Sequence, residues 1–462
     1  MTTVNEVIAQ ALGIKPAEVK DDLAYQSFPD WDSLGHVNIM SSIETAFELE
    51  IAPELVHRLR TVADIKGFVA AGGRLIENDA PSAPDHRVHR GLDGVEFDHS
   101  AITRIDGELG ELEYRGFSIH DLVERASAEE VMHLLIEGYL PSEHELQVLR
   151  AALLTGMTLP DSIVQLIGML RAAHPLEVLR TAVSALGALS PLHAQGVFDE
   201  TIDEARARGL MLLGSVPMIL ATHLALRDGR AIPDPGEGAC YAEIVLKALT
   251  GESPDEIAVR VFNRALIIHA DHSSNASTFT ARVATSTEAG MINAITAAIA
   301  TFTGRRHGGA SEGVLDVFDE LSQPEEAESY VARKLAAGEP VMGFGHRVYR
   351  VVDPRAGHLR ECVLELSEAR RDDRRLKILD ALAAAMAPRA RHGVAPNVDL
   401  YAGLTYRLLG IPDDVAVAIF VLGRLPGWIA HVLEQRANNV LIRPLLRYKQ
   451  PESLLTVGKG QQ

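Results

Sequence analysis

The sequence predicts a mainly α-helical protein, with a small helical bundle followed by a larger helical unit. Three observations carry this reading. Apolar residues recur at helical spacing through most of the chain, as in Val37, Ile39, Met40, Ile43 and Phe47. Only Ala101 to Gly116 alternates as strands do, with two runs flanking a turn of Asp106-Gly107 and Gly110, which reads as one short β-hairpin. No run of strands alternates with helices, so a parallel sheet is not expected. At 462 residues the chain is too long for one ordinary domain.

Composition narrows the function. With 47% hydrophobic and 23% charged residues, the chain can bury a large core. A net charge of −19 argues against a general nucleic-acid binder, although local arginines could still hold an anionic substrate. Cys240 and Cys362 have no paired spacing, which suits a reducing cytoplasm and argues against a zinc or disulfide framework. No basic start followed by an apolar block opens the chain, so a cytoplasmic location without a membrane anchor is expected. Leu210 to Leu226 is the most membrane-like stretch, but Pro217 and His223 interrupt it, and it reads as a buried central helix.

In chain order, Val4 to Leu12 reads as an amphipathic helix. A loop through Phe28-Pro29-Asp30 leads to Trp31-Asp32-Ser33-Leu34-Gly35-His36, where a second helix opens. Shorter helices near Pro53 to Leu59 and Val62 to Ala70 complete a bundle over residues 1–75. Ser33 falls at a helix N-terminus. It reads either as an N-cap or as a serine bearing a phosphate ester, since exposed amides and the helix dipole favour an anion there. Residues 76–91, including Pro81 and Pro84, lack apolar periodicity and read as a linker. Residues 92–462 begin with the hairpin. Helices are then expected over Ile119 to Arg125, Ala128 to Glu137, Glu143 to Leu153, Leu176 to Leu186, Tyr241 to Leu249 and Pro254 to Ile268. A long Ala-rich stretch from Ala276 to Thr303 follows.

Four polar runs in the larger unit are candidates for chemistry. They are His269-Ala270-Asp271-His272-Ser273-Ser274-Asn275, Gly304-Arg305-Arg306-His307-Gly308-Gly309-Ala310-Ser311, Gly343-Phe344-Gly345-His346 running on to Asp353-Pro354-Arg355, and Pro396-Asn397-Val398-Asp399. A histidine behind a Gly-Phe-Gly turn, with an arginine fork nine positions on, suits a small anionic substrate; it also suits a loop with a solvated His and Arg. His269 and His272 could be core histidines bonded to backbone carbonyls, the preferred reading for His269. A metal site would need a third ligand that does not follow at helical spacing. Asp399 could cap a helix, and Arg424 and Arg443 could be surface charges.

Taken together, these runs resemble one family. From about Gly91 onward, roughly four-fifths of the chain is similar to citrate synthases and bacterial 2-methylcitrate synthases, in the same motif order. The resemblance implies an all-α fold with a large domain and a small domain near residues 309–410, working as a homodimer. It implies that His307 bonds the thioester carbonyl, Asp399 takes the proton beside it, and His346 polarises the ketone of oxaloacetate. It implies that His272, Arg355 and Arg424 hold oxaloacetate, with Arg443 reaching in from a neighbouring subunit. Arg305, Arg306 and Arg350 could meet phosphates of coenzyme A or of a carrier arm; Arg305 and Arg306 could equally be solvated at a helix end. No metal is implied.

The first unit is similar to acyl carrier proteins, with Asp32-Ser33-Leu34 at the head of an acidic helix carrying Glu44 and Glu48. That resemblance implies 4′-phosphopantetheine on Ser33, installed by a phosphopantetheinyl transferase. Gly35-His36 departs from the carrier pattern. In the larger unit, Ser273, Arg305-Arg306, Ser311, Leu400 and Ala402 depart from common citrate synthase residues, and most lie near the thioester histidine. The expectation is unchanged oxaloacetate chemistry with a specialised acyl donor, delivered on Ser33 in place of free acyl-CoA. The alternatives are an ordinary acetyl- or propionyl-CoA enzyme with a docking or regulatory first unit, or a non-catalytic binding scaffold.

Overall fold

The computed structural model describes residues 3–25, 31, 33–56, 58–73, 90–92, 95–189, 200–236, 238–304, 307–308, 310–337, 339–390 and 394–448. Nearly all of the expected linker, together with Arg305 and Arg306, lies outside the described residues. The chain divides into two compact units: His99–Ile442, and the residues up to Asp98 together with those from Arg443.

The first unit holds helices α1 (Val4–Leu12), α2 (Ser33–Phe47), α3 (Pro53–Val56) and α4 (Val62–Ala70). Thr3 and Glu6 close a reciprocal capping box at the start of α1, and Gly13 ends that helix in the left-handed conformation. Thr61 and Asp64 do the same at α4. Ile8, Trp31, Ile39, Ile43, Leu59 and Ile65 form its core. His36 sits among them with both ring nitrogens satisfied. Trp31 Nε1 donates to its Nδ1 at 3.0 Å, so its Nε2 donates to the Val56 carbonyl at 2.8 Å. The departure at His36 therefore ties α2 to α3.

The second unit opens with β1 (Thr103–Asp106) paired antiparallel to β2 (Glu111–Tyr114), Thr103 facing Tyr114 and Asp106 facing Glu111. A third strand, β3 (Phe117–Ser118), extends the expected hairpin. Arg115 and Gly116, at φ 51° and 84°, turn the chain back onto β2. The helices that follow are α5 (Ile119–Arg125), α6 (Ala128–Glu137), α7 (Glu143–Gly156), α8 (Asp161–Met169), α9 (Pro175–Ala188), α10 (Ile202–Arg227), α11 (Tyr241–Thr250) and α12 (Glu256–His269). The expected Ala-rich helix is two, α13 (Ala276–Ser286) and α14 (Met291–Phe302). Thr285, Ser286 and Thr287 bond back to carbonyls of the preceding turn, and Glu288 takes φ 66°, which stops the helix. Then come α15 (Ala310–Leu315), α16 (Val317–Glu320), α17 (Ala327–Ala336), α18 (Pro354–Arg370), α19 (Arg374–Ala390), α20 (Asp399–Leu408) and α21 (Ala416–Ala437).

Two helices form the interior. α10 is the buried helix expected from Leu210 to Leu226. α21, which sequence reading passed over, is its counterpart, and α6, α10, α12, α13 and α14 pack against it. Both are long and apolar enough to cross a membrane, yet 83% and 100% of their apolar windows are buried within the unit. α7 and α10 cross at a glycine contact. A Cβ on Gly214 would lie 2.3 Å from the Leu153 carbonyl oxygen, and one on Gly156 would lie 2.6 Å from that of Met211. Ser215 Oγ donates across the crossing to the Gly156 carbonyl at 2.9 Å. Gly214→Ala should therefore overpack this contact and cost about 2–3 kcal/mol, seen as a lower thermal midpoint by circular dichroism while the first unit's transition stays in place.

Candidate active site

The site is built where α21 seats the corner after α12. Arg424 Nε donates to the His269 carbonyl at 2.7 Å, and the Gly427 N–H donates to the Ala270 carbonyl at 3.0 Å. Neither Gly423 nor Gly427 has room for a side chain: a Cβ on Gly427 would lie 2.3 Å from the Ala270 oxygen. Asp271, fully buried, accepts at Oδ2 from the Thr103 hydroxyl (2.6 Å), the Ser273 N–H (2.8 Å) and His431 Nε2 (3.3 Å). Burial alone would raise this carboxyl. His431, Arg424 and the Thr103 bond outweigh it and hold it below its ordinary value. His431 Nδ1 accepts from Arg282 at 3.1 Å, which leaves its Nε2 as the donor to Asp271. His272, next in sequence, has Nε2 3.3 Å from the Tyr349 hydroxyl and its ring 5.1 Å from that of His346.

The His346 loop and the start of α20 are stitched together. Gly345 N–H donates to the Ala395 carbonyl, Asn397 N–H to that of Gly343, and Asp353 N–H to that of Pro396, at 2.8, 3.0 and 3.1 Å. Asn397 Nδ2 also donates to the Gly345 carbonyl at 2.9 Å, while its Oδ1 accepts the Asp399 N–H at 3.0 Å. Asp399 therefore does not cap α20 but is its first residue, after Val398 at the N-cap, and its N–H is met by the Asn397 side chain. Gly343 takes φ 86°, and a Cβ there would lie 2.9 Å from Leu400 Cδ1, so its smallness serves packing between the two segments. The Asp353-Pro354-Arg355 turn is the N-terminus of α18. Arg355 makes a two-pronged bond with Asp353 (2.9 and 2.7 Å), both side chains being buried. Burial works to lower the Arg355 pKa, but Asp353 more than offsets it and raises it.

Each expected catalytic histidine has one ring nitrogen engaged by its own surroundings. His346 Nδ1 accepts the Val348 and Tyr349 N–H groups at 3.0 and 3.1 Å, so its proton is on Nε2. His307 lies tilted against Phe302 with ring centres 4.5 Å apart, and its Nε2 is engaged by Ser277, 2.7 Å from the hydroxyl oxygen and 3.3 Å from the N–H. Asn275 and Trp428 hold Ser277 in place, at 2.7 and 3.2 Å from its hydroxyl. Burial pushes both histidines down to about 4, helped by Arg355 at His346 and Arg424 at His307. They are neutral at pH 7. Arg424 itself is pushed down to about 10 by burial and stays charged.

Other expectations fare differently. His269 is a core histidine, but neither ring nitrogen has a partner; its ring lies against Phe420 at 3.9 Å instead of bonding backbone carbonyls. Its pKa falls well below 6.5 through burial, which removes the cost of a charge there. Among the described residues no cluster of metal-ligating side chains occurs. Arg443 is exposed and belongs to the other compact unit. Arg350 is also exposed, and its N–H bonds the Gly107 carbonyl. α2 opens at Ser33, whose side chain lies outside the described residues. Of the supports, Asp271, Ser277, Tyr349 and Asn397 fall within or beside the polar runs but were given no role there, and His431 was missed. A polar residue inside an otherwise apolar helix, as His431 is in α21, was the available signal.

Residues 91–445 match the family described as citrate synthase, C-terminal domain. The chain is 40% identical over 370 residues to citrate synthase 2 of Bacillus subtilis, covering 79% of this chain and 96% of that protein. It is 37% identical over 370 residues to 2-methylcitrate synthase 1 of Corynebacterium glutamicum, with the same coverage of 79% and 96%. Among solved structures it is similar to the citrate synthase of the thermophilic archaeon Thermoplasma acidophilum in ternary complex with carboxymethyl coenzyme A and oxaloacetate. That likeness has a TM-score of 0.75 and 31% identity, over 79% of this chain and 97% of the other. The Pyrobaculum aerophilum citrate synthase gives a TM-score of 0.75 at 32% identity, over 82% and 97%. By sequence from residue 91 and by fold, this chain belongs to the citrate synthase family.

Proposed function

We propose that the protein condenses an acyl-CoA with oxaloacetate and then hydrolyses the thioester, giving citrate or a 2-alkylcitrate. The observation that carries this is the pair of neutral imidazoles, His307 and His346, each with one ring nitrogen engaged by the protein and the other left to meet a substrate oxygen. In this reading His307 Nδ1–H bonds the thioester oxygen while the Asp399 carboxylate takes a proton from the neighbouring carbon. A neutral imidazole donor suits charge that forms only in the transition state. The enol carbon then attacks the ketone of oxaloacetate, whose developing alkoxide is met by His346 Nε2–H. Water finally attacks the thioester carbonyl and releases the coenzyme A thiol. Oxaloacetate carries two carboxylates, and the buried arginines suit them. Among the described residues no carboxylate lies within ion-pair distance of Arg424, so a bound dianion would neutralise a charge that burial makes costly.

The family's working unit supports a homodimer in which a partner copy supplies Arg443. The exposed apolar run of Leu441, Leu445, Leu446 and Tyr448 around Arg443 suits coverage by a second chain. Arg305, Arg306 and Arg350 remain the proposed contacts for coenzyme A phosphates. For the first unit we propose 4′-phosphopantetheine on Ser33, loaded with the acyl donor. Supporting this are a helix that opens at Ser33 and a bundle with a core of its own. A fused carrier raises the local donor concentration.

Three measurements test these readings. Oxaloacetate-dependent thiol release from a panel of acyl-CoA thioesters should be seen with the wild type and fall about a thousandfold in Asp399→Asn; silence with every donor would leave a binding scaffold. Since His307 and His346 titrate below the free value of about 6.5, the unfolded chain takes up protons first as pH falls. Thermal stability should be full above that value and decline toward pH 4, a trend that denaturation curves at stepped pH would reveal. Intact-mass spectrometry after incubation with coenzyme A and a phosphopantetheinyl transferase should show one added phosphopantetheine, absent in Ser33→Ala. An unmodified wild type would make the first unit a docking or regulatory appendage.

A further inference from the structure

We infer that the β1–β2 hairpin is a positioning element for the oxaloacetate pocket, holding His346 through its turn and His272 through its base. The inference rests on the condensation reading and adds residues to it that the four polar runs do not contain.

At the turn, the Gly107 carbonyl accepts the Arg350 N–H at 2.9 Å. A Cβ on Gly107 would lie 2.4 Å from the Val348 carbonyl oxygen and 3.2 Å from Val348 Cγ1. Gly110, at φ 71°, meets the same loop further on, where a Cβ would lie 2.8 Å from Val351 Cγ2. The turn is itself fixed, because Asp106 Oδ1 accepts the Glu108 and Leu109 N–H groups at 3.0 and 2.9 Å. Val348 and Tyr349, whose N–H groups occupy His346 Nδ1, thus sit on a rigid backbone seat. At the base, the Thr103 hydroxyl donates to Asp271 Oδ2 at 2.6 Å. The Tyr114 hydroxyl lies 3.0 Å from the Asp271 carbonyl and 3.3 Å from its N–H. Asp271 precedes His272, so one two-stranded ribbon reaches both imidazoles of the pair that stands 5.1 Å apart. Displacing either imidazole should weaken oxaloacetate binding while leaving the thioester side, at His307, as it was.

The test compares Gly107→Ala, Thr103→Val and Thr103→Ser in the full-length protein. Oxaloacetate binding is read by isothermal titration calorimetry, and KM for each substrate by thiol release. The expected result is an oxaloacetate Kd and KM raised about tenfold in Gly107→Ala and Thr103→Val. Acyl-CoA KM should stay within about twofold and Thr103→Ser should restore binding. Should Gly107→Ala fail to fold by circular dichroism, the Thr103 pair decides alone. Folded variants with unchanged oxaloacetate affinity would overturn the inference. So would a lower kcat with both KM values unchanged, which is what a loss of stable protein produces. A wild type that binds oxaloacetate without turning over would sink the condensation reading and leave the hairpin's role to the calorimetry; one that does not bind it would sink both.

Discussion

The constraint on which the unit depends is the seating of a corner of backbone on a helix whose glycines let the two backbones meet. Residues 269–271 leave α12 with carbonyls that need donors, in a place no water supplies them. α21 answers with Arg424 Nε for one and the Gly427 N–H for the next. That second donor is available because Gly423 and Gly427 let the two backbones approach below the reach of any Cβ. Pro426 sits between them, so the helix there is already short of one internal donor. What looks like a helix interrupted by glycine and proline is the surface that fixes where Asp271 and His272 stand.

Electrostatics follow from that seating. Two arginines, two aspartates and four histidines are buried or half-buried within the unit, a costly arrangement unless each is neutral, paired or awaiting a partner. Arg355 is paired with Asp353, and Asp271 with His431 and hydrogen-bond donors. His269, His272, His307 and His346 all avoid charge through burial. Arg355 is thus balanced by Asp353, while Arg424 has no carboxylate at ion-pair distance among the described residues, and the rings around them are uncharged.

How much of this could be read from residues depends on distance along the chain. Helix ends with local signatures were legible: Val4 to Leu12, Ile119 to Arg125 and Ala128 to Glu137 end where caps and glycines say they should. The split at Ser286 was not, because threonine back-bonding competes with an Ala-rich pattern that favours continuation. The polar runs around His272, His307, His346 and Asp399 stood out because glycines and charges cluster in them. Their supports did not. Thr103 acts on Asp271 across 168 residues and His431 across 160, and no local pattern announces a bond over such a span.

The departures from the family pattern now separate into two kinds. Leu400, where an aromatic is common, packs against Gly343, so it sets the fit between the His346 loop and α20. Ser273 takes φ 50° and gives its N–H to Asp271, so its role includes a tight turn that orients His272. Both changes thus act through packing and backbone geometry on the placement of His346 and His272. The second kind, Arg305, Arg306 and Ser311, neighbours His307 in sequence, and their side chains lie outside the described residues, so the packing that the first two changes set around His346 and His272 is what distinguishes the described site.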